Sequence, residues 1–133
     1  KIILENNYDA LILIGNEEKI KELKKLDINK ENKVKIIETK GMLEVAELIK
    51  GADLVVSPDT SIVHIASAFN KKMITVYPPK GGKYGIDHLV WAPKSKYNKV
   101  IFCKDKTGNY DEIDINTFDF DEMKEEILKM LEQ

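Results

Sequence analysis

The chain has 133 residues, 43% hydrophobic and 33% charged, with a formal net charge of −2. That length and mix predict one soluble globular domain with its own core, and the charge balance excludes a general pull toward nucleic acid or anionic lipid. All 21 basic residues are lysine, so no planar arginine fork is available for phosphate, and a single cysteine, Cys103, excludes an internal disulfide and a multi-cysteine metal site.

The opening "KIILENN" has neither the long apolar stretch nor the cleavage site of a signal peptide, and no apolar run is long enough to span a membrane. The chain begins abruptly, without an initiator Met, and reads as a piece of something longer. "DALILIG", Asp9 to Gly15, is a short continuous apolar run of the kind covered on both faces of a parallel sheet. "NEEKIKELKKL" follows, with Ile20, Leu23 and Leu26 on one helical stripe and charges that suit the helix dipole. A polar loop leads to a second strand, Lys33 to Ile37. "MLEVAELIKG" places Met42, Val45, Ala46 and Ile49 on one face, with Gly51 as the expected C-terminal cap.

"ADLVVS" is the third strand, "TSIVHIASAF" the next helix and "KMITVY" the fourth strand. A loop rich in Pro and Gly, "PPKGGKYGIDH", leads to a last strand, Lys99 to Cys103. The turn-rich, acidic "DKTGNYDEIDIN" precedes a closing amphipathic helix with Phe120, Met123, Ile127, Leu128 and Leu131 inward. Strand and helix alternate, which predicts an α/β fold: a Rossmann-like parallel sheet with right-handed crossovers, flanked by helices. No internal repeat or second-domain boundary is visible, so residues 1–133 read as a single domain.

In such sheets ligands bind beyond the carboxyl ends of the strands. That rule selects 15–18, 39–42, 57–61 and 77–83. The third is the most informative. Pro58 keeps Ser57 extended, and Asp59 or Thr60 can cap the helix that follows. Free N–H groups at Thr60, Ser61 and Ile62 would favour an anion, with His64 one turn in on the same face. The plainer alternative is a capped helix with a half-buried histidine.

Glu17 and Glu18 follow a strand-ending glycine, where a carboxylate can accept from ribose hydroxyls or simply complement the helix dipole. Lys80 or Lys83 could reach a phosphate from a mobile loop, although that loop lacks the spacing of a P-loop. His88 has no evident partner, Trp91 is expected to pack, and Cys103 belongs to the core rather than to chemistry. No residues have metal-ligand spacing.

"ADLVVSPDTSIVHIASAFNKKMITVY" resembles the signature stretch of glycosyltransferase family 9, the ADP-heptose:lipopolysaccharide heptosyltransferases and their relatives. Asp59, Thr60 and His64 match the family's Asp-Thr-Gly-x-x-His, with Ser61 where the family usually has Gly. "MLEVAELIKGADLVV" and "LILIGNEEK" resemble the segments before it. The likeness covers roughly Asp9 to Pro93 and is strongest from Met42 to Pro79.

The resemblance implies the C-terminal, nucleotide-sugar-binding half of a two-domain GT-B glycosyltransferase. Its acceptor site, its catalytic base and its first strand would lie upstream of Lys1. It implies inverting transfer of heptose or a related sugar from a donor such as ADP-heptose to the lipopolysaccharide core. No metal or other cofactor is expected. The implied location is cytoplasmic, with a peripheral place at the inner face of the inner membrane. Asp59, Thr60, Ser61 and His64 would hold the donor diphosphate, Glu17 (or Glu18, one register on) the ribose, and Lys80 a phosphate. Two departures stand out. Pro78, Pro79 and Lys80 replace the usual Gly-Pro-Thr-Asp beside the donor sugar. Ser61 fits in place of Gly only if its φ is negative. The rival expectation is a non-catalytic nucleotide- or partner-binding domain, because many functions share this architecture.

Overall fold

A computed structural model describes residues 11–26, 33–80, 86–106 and 112–132. They form an α/β structure of parallel strands and flanking helices. The chain divides into two compact units, Lys1–Val45 and Ala46–Gln133.

In the first unit, β1 (Leu11–Gly15) pairs in parallel with β2 (Val34–Glu38), from Leu11 opposite Val34 to Gly15 opposite Glu38. Between them runs α1 (Glu17–Lys25). Asn16 starts it: its side chain accepts from the Lys19 N–H at 3.1 Å. Glu17 and Glu18 occupy the first turn and Lys24 and Lys25 the last, each matching the dipole. Gly15 is required by close approach, since a Cβ there would sit 2.9 Å from that of Lys19. Ile20 is buried and Leu23 half-buried, but Leu26 is exposed, contrary to expectation. Leu26 is the residue after the helix, already extended at φ −80° and ψ 125°, so its side chain leaves the stripe.

Helix α2 (Met42–Gly51) straddles the division. Val45 and Ile49 are buried, but Met42, in the first turn, is exposed. Gly51 is the last helical residue and not a left-handed cap, because its φ lies outside the positive range.

The second unit contains a three-stranded parallel sheet, β3 (Leu54–Pro58), β4 (Lys72–Tyr77) and β5 (Asn98–Phe102), with β4 in the centre. The register places Ser57 opposite Thr75 and Val76 opposite both Pro58 and Ile101. Strand alternation then sorts the two faces. Met73, Thr75 and Tyr77 point toward α3 (Ser61–Ala68), whose Ser67 hydroxyl reaches the Met73 sulfur at 4.0 Å. Lys72, Ile74 and Val76 point toward α5 (Phe120–Glu132), where the Lys72 ammonium donates to the Met130 carbonyl at 2.9 Å. On β5, Lys99 shares that face, and its ammonium lies 3.2 Å from Glu122 and 3.6 Å from Glu126. The Glu122 carboxylate is the main cause of an upward shift in the Lys99 pKa.

Helix α3 ends on Asn70, at φ 51°. The Lys71 N–H returns to the Ala66 carbonyl at 2.9 Å and the Asn70 N–H to Ser67 at 2.9 Å. This is a Schellman-type closure with Asn in the left-handed place. A four-residue helix, α4 (Asp87–Val90), lies between β4 and β5. Met123, Ile127 and Met130 bury the inner face of α5. Phe120, expected inward, is 67% exposed; it stands in the first turn and stacks on Phe118 at 4.7 Å. Among the described residues no helix is long and apolar enough to cross a membrane.

The centre of the second unit is Met73, Ile74, Thr75 and Tyr77, all fully buried. Ile74→Ala should therefore lower the unfolding free energy by about 2–5 kcal/mol, the range for such a truncation in a packed core. Urea denaturation followed by circular dichroism would show it as a lower midpoint with an unchanged slope.

Candidate functional site

The carboxyl ends of β3, β4 and β5 lie side by side, because Pro58 pairs with Val76, and Tyr77 with Phe102. The segments leaving this edge carry most of the residues singled out in the sequence. From β3 comes the turn Pro58–Asp59–Thr60 into α3. From β4 come Pro78, Pro79 and Lys80. From β5 come Cys103 and Lys104.

Thr60 caps α3. Its backbone is extended (φ −146°, ψ 175°), and its Oγ1 accepts from the Ile62 N–H at 3.3 Å. The same oxygen lies 3.1 Å from Ser57 Oγ, and Ser57 Oγ donates to the Pro58 carbonyl at 2.9 Å. Ser57 has one hydroxyl proton and uses it on Pro58, so Thr60 donates to Ser57. A directed chain results, from the Ile62 N–H through Thr60 and Ser57 to the Pro58 carbonyl. Each link polarises the next. The expected free N–H at Ile62 is thus corrected: the cap consumes it, and the Val63 N–H bonds the Thr60 carbonyl at 3.0 Å.

Ser61 begins the helix with a negative φ, since Asn70 alone among the described non-glycine residues has a positive one. The condition for Ser in place of Gly is met. Asp59 is half-buried, while Thr60, Ser61 and His64 are exposed. His64 sits one turn in, with its ring edge against Trp91 at 5.8 Å. The structure brings these four residues together at the start of one helix.

Lys80 lies on the same sheet edge, its ammonium 4.5 Å from the centre of the Phe102 ring. Pro79, Lys80, Phe102, Cys103, Lys104 and Lys106 line a shallow cleft of about 400 Å³. Cys103 is buried beneath it, and burial is the main cause that pushes its thiol up, as expected of a core cysteine. Lys104 is engaged by Asp119 at 2.8 Å. Lys83 lies outside the described residues. Glu17 and Glu18 belong to the first unit and are exposed on the opening turn of α1. Glu17 accepts from the Lys21 ammonium at 2.6 Å. Among the described residues no group of His, Cys, Asp and Glu gathers where a metal could be held.

Two expectations fail near this edge. Trp91 is half exposed rather than packed, although its carbonyl accepts from Tyr77 Oη at 2.8 Å. His88 has a partner, the Phe102 ring at 5.2 Å, edge to face. Two features were missed. Ser57 lies within the selected segment 57–61, but its role as the middle link of the hydroxyl chain goes beyond the extended backbone that Pro58 predicts; its spacing of three from Thr60 is the signal for it. Thr75, opposite Ser57, buries its hydroxyl with no hydrogen-bond partner among the described residues, which no feature of "KMITVY" announces.

Parallel strands flanked by helices, with a capped helix starting at the carboxyl edge of β3, define a Rossmann-like α/β domain. The model of glycosyltransferase family 9 (heptosyltransferase) matches residues 1–108, and the chain belongs to that family. Over 70 residues, 53% of the chain, it is 36% identical to the putative lipopolysaccharide heptosyltransferase 4 of Escherichia coli (strain K12). The matched part is 19% of that relative's length, so the chain spans only a small share of it. No solved structure matches the chain.

The hydroxyl chain makes a local prediction. Thr60→Val removes both the cap and the Ser57 link, and should cost about 0.5–2 kcal/mol. Thr60→Ser retains both and should stay close to the original stability. Urea titration of the two variants separates the hydroxyl from the methyl group.

Proposed function

We propose that this chain is the donor-binding part of an inverting glycosyltransferase of the GT-B type. The donor would be a nucleoside-diphosphate sugar carrying heptose or a related sugar. The acceptor would be the lipopolysaccharide core, held with the catalytic base on a second domain. Family membership supports the class. The observation that carries the reading is the Thr60-capped start of α3, with Ser57 behind it and the His64 imidazole exposed one turn in.

The chemistry follows from that arrangement. As the sugar leaves, negative charge grows on the nucleoside diphosphate. The amino-terminal end of α3 supplies positive potential there. His64 supplies a hydrogen-bond donor on the same side, and the Ser61 hydroxyl a further one. Donors already held in place need no reorganisation when the charge develops. In this reading no metal takes part, and these groups stabilise the leaving group alone. Lys80, held over Phe102, would meet the outer phosphate, and Glu17 the ribose. Pro78 and Pro79, in place of the family's more polar loop, would shape the sugar end of the site.

His64→Ala should weaken binding of a nucleoside diphosphate by roughly ten- to a hundredfold, the loss expected for one hydrogen bond to a charged group. Binding of the free nucleoside should hardly change, and the exposed imidazole should not be needed for folding. Isothermal calorimetry with ADP, UDP, GDP and their nucleosides decides it. Equal losses for nucleoside and diphosphate would make His64 a structural residue, and no diphosphate binding by the unaltered chain would sink the reading.

The ribose contact has its own test. Glu17→Ala should reduce affinity for nucleoside and diphosphate alike, and Glu18→Ala should not. The reverse result in the same titration shifts the contact by one residue. No effect of either leaves both carboxylates to the helix dipole.

A further inference from the structure

Bonds from two elements fix the segment that follows α4. The Tyr77 hydroxyl, at the end of β4, donates to the Trp91 carbonyl at 2.8 Å. From there the segment is strapped along α3: the Lys94 N–H donates to Ser67 Oγ at 3.0 Å and the Lys96 N–H to Asn70 Oδ1 at 2.8 Å. His64 and Ser67 are three residues apart in α3, so both lie on one face of the helix. Strap and helix therefore run side by side, with Trp91 against His64, Lys94 against Ser67 and Lys96 against Asn70. Pro93 and Ser95, between these contacts, are buried, so the strap lies flat on the fold.

A tryptophan that served only the core would be better placed inside it. Trp91 is half exposed and sets its ring against the exposed His64. The ring centroids are 5.8 Å apart and the planes 74° from parallel, the edge-to-face geometry that aromatic rings favour. An imidazole alone on a helix surface turns between rotamers, and fixing it at the moment of binding weakens affinity. A wall held by β4 on one side and by α3 on the other settles that rotation beforehand.

We propose that Trp91 is a positioning residue for His64: its indole, held by Tyr77 and by the strap on α3, fixes the imidazole before a diphosphate arrives. Trp91 acts through His64 and touches no phosphate itself. This role rests on the reading of His64 as a diphosphate contact and goes beyond it, because that reading requires no particular neighbour for the imidazole.

Nuclear magnetic resonance of the 133-residue chain reads the contact without any ligand. The His64 ring protons, told from those of His88 by their absence in His64→Ala, should be displaced by the ring current of the indole, and Trp91→Ala should remove the displacement. Calorimetry reads the consequence, with whichever of ADP, UDP and GDP binds tightest and with its nucleoside. Trp91→Ala should weaken diphosphate binding by about two- to tenfold, the range for an edge-to-face ring pair, and leave nucleoside binding unchanged. Trp91→Phe keeps a ring beside the imidazole and should restore most of the loss. In a His64→Ala background Trp91→Ala should add nothing, because a residue that acts only through the imidazole has no effect without it. Undisplaced His64 protons, an unchanged diphosphate affinity in Trp91→Ala, or a loss with Phe as large as with Ala would overturn the inference. A loss that persists in the His64→Ala background would overturn it too, and would make Trp91 a ligand contact of its own. No diphosphate binding by the unaltered chain, or no loss in His64→Ala, would instead overturn the reading of His64, and this role of Trp91 with it.

Discussion

The three hydrogen bonds from Ile62 through Thr60 and Ser57 to Pro58, at 3.3, 3.1 and 2.9 Å, hold this edge in one shape. They solve two problems with two hydroxyls. The first turn of a helix leaves N–H groups without partners inside the helix, and Thr60 answers one of them. A strand leaving a sheet must turn sharply into that helix, and Ser57, buried at the end of β3, locks the turn from below. The direction in which α3 leaves the sheet, and with it the place of His64 and of the segment that runs beside the helix, follows from this lock.

The other side of the sheet is held differently. Helix α5 lies across it through Met123, Ile127 and Met130, and ion pairs fringe the contact. Lys99 reaches Glu122 and Glu126, and Lys104 reaches Asp119, which also caps the helix by accepting from the Asp121 and Glu122 N–H groups. The Lys99 pairs are half-buried and the Lys104 pair more open, and ion pairs that water still reaches contribute little stability. Their value here is orientation: they fix which face of α5 meets the sheet, while the buried side chains supply the adhesion. The edge that carries Thr60 and His64 is thus built from hydroxyls and backbone, and the supporting face from apolar packing.

Much of this was legible in the residues. "KMITVY" reads as a buried strand because a parallel strand covered on both faces has no polar alternation to blur it, and β4 spans those six residues. The cap was legible to within one residue, Asp59 or Thr60, because few residue types can fill that place, and the structure gives it to Thr60. What resisted reading depends on contacts across sequence. His88 finds Phe102 fourteen residues on, through strand register rather than local pattern. Leu26, Met42 and Phe120 fit a helical stripe on paper, but each stands at a helix end, where the stripe stops applying. Trp91 violates the burial expected of its size. A rule that places large apolar residues inside cannot announce one that is kept outside.

The bond from Lys72 to the Met130 carbonyl spans 58 residues of chain. By contrast, β3, α3 and β4 assemble from one continuous stretch, Leu54 to Tyr77. Closing a long loop costs entropy before any contact rewards it. The fold therefore has a built-in order in time: the β3–α3–β4 unit can form as a local nucleus, and α5 arrives afterwards to seal its open face. The same asymmetry governs opening. A fluctuation that frees α5 gives up the long closure first, so in native-state hydrogen exchange the amides of α5 open ahead of those in β4, and the edge that carries Thr60 and His64 outlasts the helix that backs it.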